Sequence, residues 1–361
     1  MDSRMSFVSN AVVAVPDYEM SQEEVVELGR EILRGKVPFL DQALDLFRNA
    51  GVDRRYLVRS PRILMENKGL QWRNDIYIEE TKKLGERLMT DLFETGGVGP
   101  KDIDLLITTS CTGFMIPALD AHLMNVFEMR QDVRRMPFTE LGCAAGAMAL
   151  SRAHEHLLAF PDHRVAIVAI EIPSMTYLHK DMSVANLVSV ALFGDGGAAV
   201  LVDGREGPLE ILHCRSHLFR NTPEMMGFDL VDEGFRIFLD KRVPDLLREQ
   251  LPPVVESFLS DCGVEASQIR NYLFHPGGRK ILDTVDEIFD LDELDLLASR
   301  ETLREVGNLS SATILWVIHK ALNGQGRDGY ALLGAFGPGF NAELLLSRLT
   351  LGAADGSGAL P

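Results

Sequence analysis

Short aliphatic runs alternate with longer stretches of helical spacing along this chain, and the alternation occurs twice. The first pass opens with the Val- and Ala-rich run Met5 to Val15, closed by Pro16. Helical spacing follows over Gln22 to Arg34 and Leu40 to Asn49. A long amphipathic stretch, Asp75 to Glu94, sets Tyr77, Leu84, Leu88 and Leu92 on one face. A strand over Ile103 to Thr109 runs into Ser110-Cys111-Thr112-Gly113. A helix after Cys143 and strands at Val165 to Glu171 and Gly197 to Val202 complete the pass. The second pass has an extended run at Leu209 to Leu218, a helix at Val243 to Cys262 and a strand at Tyr272 to His275. A helix at Leu309 to Leu322, a strand at Tyr330 to Leu333, a glycine-rich turn at Gly334 to Phe340 and a closing strand at Ala342 to Leu349 end it. Such alternation specifies an α/β fold. The repeat of order predicts two duplicated halves, residues 1–205 and 206–361, joined at the short polar run Asp203 to Gly207 with a site shared between them. The small-residue tail Gly352 to Pro361 is expected to be mobile.

Charge and cysteine usage narrow the function. The formal net charge of −17 argues against a nucleic-acid binder, since phosphate backbones select basic surfaces. The basic candidates for an anionic small molecule are Arg48, Arg54 and Arg55, and Arg279 with Lys280, although solvated surface charge is the commoner role. The cysteines Cys111, Cys143, Cys214 and Cys262 are widely separated, with no CxxC pair and no histidine at metal-ligand spacing. Neither a zinc site nor a disulfide framework is expected, and reduced thiols fit a cytoplasmic protein. No signal peptide or membrane span is read, so no membrane partner is expected.

Three residues carry the chemistry. Cys143 stands in Thr139-Glu-Leu-Gly-Cys-Ala-Ala-Gly146, where an apolar approach meets a helical pattern. A thiol at a helix start feels the positive end of the dipole, and its small neighbours admit a substrate carbonyl. Most buried cysteines are inert core residues, and two later segments set this one apart. His275, in Leu273-Phe-His-Pro-Gly-Gly278, is held at a strand end beside flexible backbone. Asn308, in Val306-Gly-Asn-Leu-Ser-Ser-Ala312, opens an apolar helix, either as its N-cap or as an amide aimed at a carbonyl oxygen. Cys143 as nucleophile, His275 as its ion-pair partner, and His275 with Asn308 as oxyanion donors suit acyl transfer from a thioester and decarboxylation of a malonyl group.

On these segments the chain resembles the type III polyketide synthases, relatives of chalcone and stilbene synthases, over residues 5 to 350. The carriers are Gly142-Cys143-Ala-Ala-Gly146, Leu192-Phe-Gly-Asp-Gly-Gly-Ala-Ala199, His275-Pro-Gly-Gly278, Gly307-Asn-Leu-Ser-Ser-Ala312 and Gly334-Ala-Phe-Gly-Pro-Gly-Phe340. The resemblance implies a thiolase-like αβαβα layered fold and a homodimer. It also implies iterative use of malonyl-CoA and an acyl-CoA, with no carrier protein and no cofactor beyond these CoA thioester substrates. It places Cys143, His275 and Asn308 as the catalytic triad and Phe193 as a gate between CoA tunnel and cavity. Glu171, Thr176, Gly277, Gly278, Ser310 and Pro338 fall on the substrate side, with Ser189, Met175 and Met226 as further lining candidates.

Three departures bear on the product. Ile237 stands where the plant enzymes carry a second gating Phe, and Phe228 falls near a plant cavity Gly. Cys111 stands where they have Thr, as in bacterial tetrahydroxynaphthalene synthases. Loss of the aromatic gate points to a long acyl starter and an alkylpyrone or alkylresorcinol. The alternatives are a 1,3,6,8-tetrahydroxynaphthalene synthase using malonyl-CoA alone and an initiating ketoacyl-ACP synthase. A papain-like hydrolase would use the same three residue types but places its Cys early in the chain, and a non-catalytic relative of the same fold would not need an intact triad.

Overall fold

The computed structural model describes residues 5–66 and 68–351; the tail expectation for Gly352 to Pro361 lies outside them. The first pass comprises β1 (Ser6–Ala14), β2 (Tyr18–Ser21), α1 (Gln22–Leu33), α2 (Leu40–Arg48), β3 (Arg54–Leu57), α3 (Pro61–Leu64), α4 (Gly69–Gly96), β4 (Leu105–Thr109), α5 (Leu119–Val126), β5 (Arg134–Phe138), α6 (Ala145–Ala159), β6 (Arg164–Glu171), α7 (Val184–Leu192) and β7 (Gly196–Asp203). The second comprises β8 (Leu209–Leu218), β9 (Met226–Val231), β10 (Gly234–Leu239), α8 (Val243–Asp261), β11 (Ile269–Phe274), α9 (Arg279–Phe289), α10 (Leu297–Val306), α11 (Thr313–Lys320), β12 (Gly329–Gly337) and β13 (Asn341–Leu349).

One mixed sheet of nine strands carries the fold, in the order β5-β4-β6-β7-β1-β8-β13-β12-β11. The order is mirrored about the β1–β8 pair. On one side β4 runs parallel to β6, and β6 antiparallel to β7. On the other β11 runs parallel to β12, and β12 antiparallel to β13. β7 and β13 then pair antiparallel with β1 and β8, which pair with each other. The intervening helices match too: α4 and α8 lead into β4 and β11, and α6 and α11 lead into β6 and β12. Strand β5 has no counterpart.

Alternation along the strands produces the layers. On β6, Val165, Ile167 and Ala169 face a central core with α6 and α11, whereas Ala166, Val168 and Ile170 face α4 and α5. On β12, Ala331, Leu333 and Ala335 join the same central core, whereas Leu332 and Phe336 face α8 and α9. The result is helix, sheet, helix, sheet, helix, the thiolase-like αβαβα arrangement. Burying each Leu, Ile or Phe in these cores contributes roughly 1.5–3 kcal/mol, which is why the period-two pattern fixes which face turns inward.

Two local expectations change. β12 continues through Gly337, so the turn expected from Gly334 is confined to Pro338, Gly339 and Phe340. Gly334 sits against the Phe274 ring, where a side chain would collide; its glycine serves close approach within a strand. The helix expected from Leu309 begins with a 3₁₀ turn, Ser310–Ala312, before α11.

Candidate active site

The central helices bring the two halves of the site together. Cys143 lies in a 3₁₀ turn, Gly142–Ala144, at the start of α6. Gly146, one turn on, faces the Ser310–Ala312 turn at the start of α11. A methyl at Gly146 would run into the Ser311 carbonyl and lie 2.6 Å from Ile314 Cγ2. This small residue therefore lets the two helix starts touch. Cys143 Sγ lies 3.5 Å from Ser310 Oγ. Gly142 takes φ +52°, and a Cβ there would stand 2.6 Å from Pro338 Cδ. The thiol is thus seated between α11 and the β12–β13 turn.

Asn308 is almost fully buried, at 2 % exposure. Its Oδ1 accepts the Ser310 N–H at 2.8 Å, and its Nδ2 donates to the Gly277 carbonyl at 3.4 Å. Its backbone bridges the chain around Phe193: Asn308 N–H donates to Leu192 O at 2.9 Å, and Gly194 N–H donates to Asn308 O at 3.1 Å. His275 follows β11, and its backbone N–H donates to Gly334 O at 2.7 Å. Its ring is 1 % exposed, and neither ring nitrogen has a hydrogen-bond partner. Burial drives its pKa down to about 3. Burial likewise pushes the Cys143 thiol up to about 11. No hydrogen bond joins His275 to Cys143. An unpartnered buried imidazole is costly by roughly 1–3 kcal/mol and ready to accept a partner. Gly277 and Gly278 form the turn after His275; Gly278 takes φ +154° and packs on Leu192.

Beneath the thiol lies a polar knot. Ser310 Oγ is also 3.4 Å from Cys111 Sγ, which in turn donates to Glu171 Oε1 at 3.5 Å. Glu171, expected to line the cavity, is wholly buried. Its carboxylate accepts from Cys111 N–H at 3.0 Å, Thr112 Oγ1 at 2.8 Å and Ser311 Oγ at 2.5 Å. It therefore ties the end of β4 to the start of α11 from below. Burial raises its pKa, and these donors oppose the rise. The Cys111 thiol is held well above its ordinary value by burial and by the Glu171 charge.

An apolar cavity with an open mouth lies between α1, α3 and α7, and its lining does not include Cys143, His275 or Asn308. Val25, Leu28, Ile32, Leu64, Leu187 and Val190 are among its walls, and Phe193 forms part of its lining. Ser189 is among its walls and Thr176 is not. Thr176 Oγ1 donates to Pro173 O at 2.8 Å, and its neighbours Ser174 and Tyr177 face the space instead. Met175 is buried in the core under α4. Ile237 lies on β10, paired with Phe228 across the β9–β10 hairpin that also carries Met226. These hairpin residues are not among the cavity walls. The contribution of α1 was not legible, because its aliphatic residues read only as a packed helix face.

The basic candidates also resolve. Arg55 is 2 % exposed and donates to the carbonyls of Val190 at 2.6 Å, Ala191 at 2.7 Å and Phe193 at 3.1 Å, capping the end of α7. Its guanidinium is committed to backbone carbonyls, and the residue also forms part of the cavity lining. Arg48 pairs with Asp45 at 2.8 Å, and Arg279 lies 3.5 Å from Asp283.

Residues 19–210 match the family model described as FAE1/Type III polyketide synthase-like protein, and residues 210–350 match that of chalcone and stilbene synthases, C-terminal domain. The chain belongs to the type III polyketide synthases. Among curated members of the family, it is 35% identical over 345 residues to a 1,3,6,8-tetrahydroxynaphthalene synthase of Streptomyces coelicolor, covering 95% of this chain and 92% of that protein. It is 31% identical to a phloroglucinol synthase of Pseudomonas fluorescens, covering 94% of this chain and 97% of the other. The crystal structure of the Streptomyces coelicolor synthase superposes with a TM-score of 0.91 at 34% identity, covering 96% of this chain and 99% of that one. This polyketide synthase is accordingly an acyl-transferring enzyme on a thiolase-like frame.

Proposed function

We propose that this synthase loads an acyl-CoA with an extended apolar chain, extends it with malonyl-CoA and closes the product to an alkylpyrone or alkylresorcinol. The observation that carries the reading is the largely aliphatic cavity between α1, α3 and α7 with Phe193 on its wall. An acyl chain of many methylenes gains about 0.8 kcal/mol for each one buried in such a space.

Cys143 acts as nucleophile. As the starter approaches, its proton passes to His275, whose ring nitrogens have no other partner. The thiolate attacks the thioester carbonyl, and CoA leaves as its thiol, taking that proton. Malonyl-CoA then loses CO₂. His275, now neutral, and Asn308 Nδ2 donate to the enolate oxygen. The enolate carbon attacks the acyl carbonyl on Cys143 and releases the thiolate for the next round. Ser310, Cys111, Gly277, Gly278 and Pro338 bound the substrate, and Glu171 holds Cys111 and Ser311 in place. The nucleophile belongs to a half spanning residues 1–205, and His275 and Asn308 to one spanning residues 206–361, in keeping with the mirrored strand order. The enzyme works as a homodimer in the cytoplasm. The apolar loop residues Phe114, 48 % exposed, and Ile116, 95 % exposed, offer a face for a second copy.

A second reading, a 1,3,6,8-tetrahydroxynaphthalene synthase primed by malonyl-CoA alone, is favoured by Cys111 and by the relatives of that name, at 33–35% identity. The test supplies malonyl-CoA with and without a long-chain acyl-CoA, with no carrier protein, and identifies products by mass spectrometry. Acyl-bearing pyrones or resorcinols support the first reading. A naphthol pigment formed with the acyl-CoA ignored establishes the second.

A further inference from the structure

The Gly337-Pro338-Gly339 turn packs directly on the turn that carries the nucleophile. A methyl on Gly337 would lie 2.6 Å from Ala144 Cβ and 2.8 Å from Leu141 O, just as one on Gly142 would meet Pro338. Two backbones that approach this closely cannot shift independently. Whatever fixes the first turn also fixes the position of Cys143.

A line of polar side chains on β13 reaches that turn. Asn341, opposite Gly337 in the β12–β13 register, turns its Nδ2 toward the turn and donates to Gly337 O and Pro338 O, each at 3.3 Å. The other arm of its amide is 3.5 Å from Glu343 Oε1. Glu343 lies two residues on, so the strand's period-two repeat puts it on the same face. Its side chain is wholly buried, and its Oε2 accepts from Ser216 Oγ at 2.8 Å. Ser216 is its cross-strand partner on β8. With the Asn341 amide oxygen turned toward it, the neutral acid is the form of Glu343 that can donate to it. Burial raises its pKa in that direction. Among the described residues, no cation sits within hydrogen-bond reach of this carboxyl, although Arg152 and Glu155 on α6 lie in its electrostatic surroundings.

We propose that Asn341 and Glu343 are positioning residues: the Ser216–Glu343–Asn341 line clamps the Gly337-Pro338-Gly339 turn against Cys143 and thereby sets the shape of the space in which the bound polyketide folds. This rests on Cys143 being the acylated residue. Neither side chain touches substrate. Both act through the turn.

The test compares Asn341→Ala, Glu343→Ala and Glu343→Gln in the full chain. Four measurements are made on each: melting temperature, acyl loading on Cys143 by intact mass, product formation rate, and the ratio of cyclised product to early-released lactone. Glutamine can still accept from Ser216 and donate to the Asn341 oxygen, so Glu343→Gln should keep the wild-type rate and ratio. Asn341→Ala and Glu343→Ala should load Cys143 yet form product about tenfold to a hundredfold more slowly, with the ratio shifted toward early release, as expected for a displacement of about 1 Å. Should Glu343→Ala unfold, the pair Asn341→Ala and Glu343→Gln still decides. A lowered melting temperature with wild-type product ratio in the folded Asn341→Ala protein would overturn the proposal, leaving the line a purely structural feature. Absence of any acyl group on Cys143 in the wild type would instead overturn the nucleophile assignment.

Discussion

Asn308 and Ser310 divide one amide between two tasks. The Asn308 Oδ1 is taken by the Ser310 N–H at 2.8 Å, so its Nδ2 must point the other way, toward Gly277 and the thiol side of the site. The Oδ1 bond fixes the backbone ahead of the Ser310–Ala312 turn, and the same orientation leaves Nδ2 as the donor of the amide.

Replacing Asn308 by Ala should separate the two half-reactions. Loss of one oxyanion donor lowers a rate by about 10²–10³, so malonyl-CoA decarboxylation should fall by that factor while starter loading on Cys143 persists. Loss of the bond to Ser310 should also cost about 1 kcal/mol of stability. Stopped assays of CO₂ release and intact-mass loading check the division; equal loss of both steps would contradict it.

The protonation of the pair can be read through alkylation. Burial first, and the Glu171 charge with it, holds the Cys143 thiol up at about 11 against hydrogen bonds from Ser310 and Asn308, and a raised thiol pKa means little thiolate at neutral pH. A partner that takes the proton must bring the midpoint down. Wild-type Cys143 should therefore react with iodoacetamide near neutral pH. In His275→Gln the rate should climb about tenfold per pH unit toward pH 11. Identical pH profiles for the two proteins would show that His275 does not activate the thiol.

Both Cys143 and Cys111 contact Ser310 Oγ, at 3.5 Å and 3.4 Å. Only Cys143 stands at a helix start, and Cys111 is further opposed by the Glu171 carboxylate. Peptide mapping of the trapped acyl-enzyme should place the acyl group on Cys143. Cys143→Ala should abolish product, whereas Cys111→Ser should retain loading. An acyl group found on Cys111 with Cys143 free would reverse the assignment.

Filling the cavity should shorten the accepted starter. Ile32 and Leu28 project from α1 into that space. Ile32→Trp adds bulk there without approaching Cys143. Long-chain acyl-CoA should lose kcat/KM by about tenfold or more, and a short-chain acyl-CoA should be little affected. An unchanged chain-length profile would mean that the acyl chain goes elsewhere.

Much of this was legible in the chain because period and punctuation carried it. The central-core faces of β6 and β12 follow from alternation, and the long α4 follows from the spacing of Tyr77, Leu84, Leu88 and Leu92. Cys143, His275 and Asn308 were marked by small residues and turns that only close backbone approach requires. What escaped depended on contacts distant in sequence. Glu171 read as a cavity residue because its partners Cys111, Thr112 and Ser311 come from two other elements, one of them in the second half. Arg55 read as a candidate contact for an anionic small molecule because the carbonyls that bind it lie about 135 residues away. Gly334 read as a turn because the ring that demands its small size belongs to the neighbouring strand.

The mirrored sheet has a consequence for how this chemistry could arise. The starts of α6 and α11 occupy matching places in the two passes of the chain. Two identical ancestral copies joined along β1 and β8 would have presented the same side chain twice at one seam. Placing Cys143 in the 3₁₀ turn before one helix and Ser311 in the matching turn before the other breaks that equality, giving the bond-making group to one copy alone. Each could then change while its twin preserved the frame.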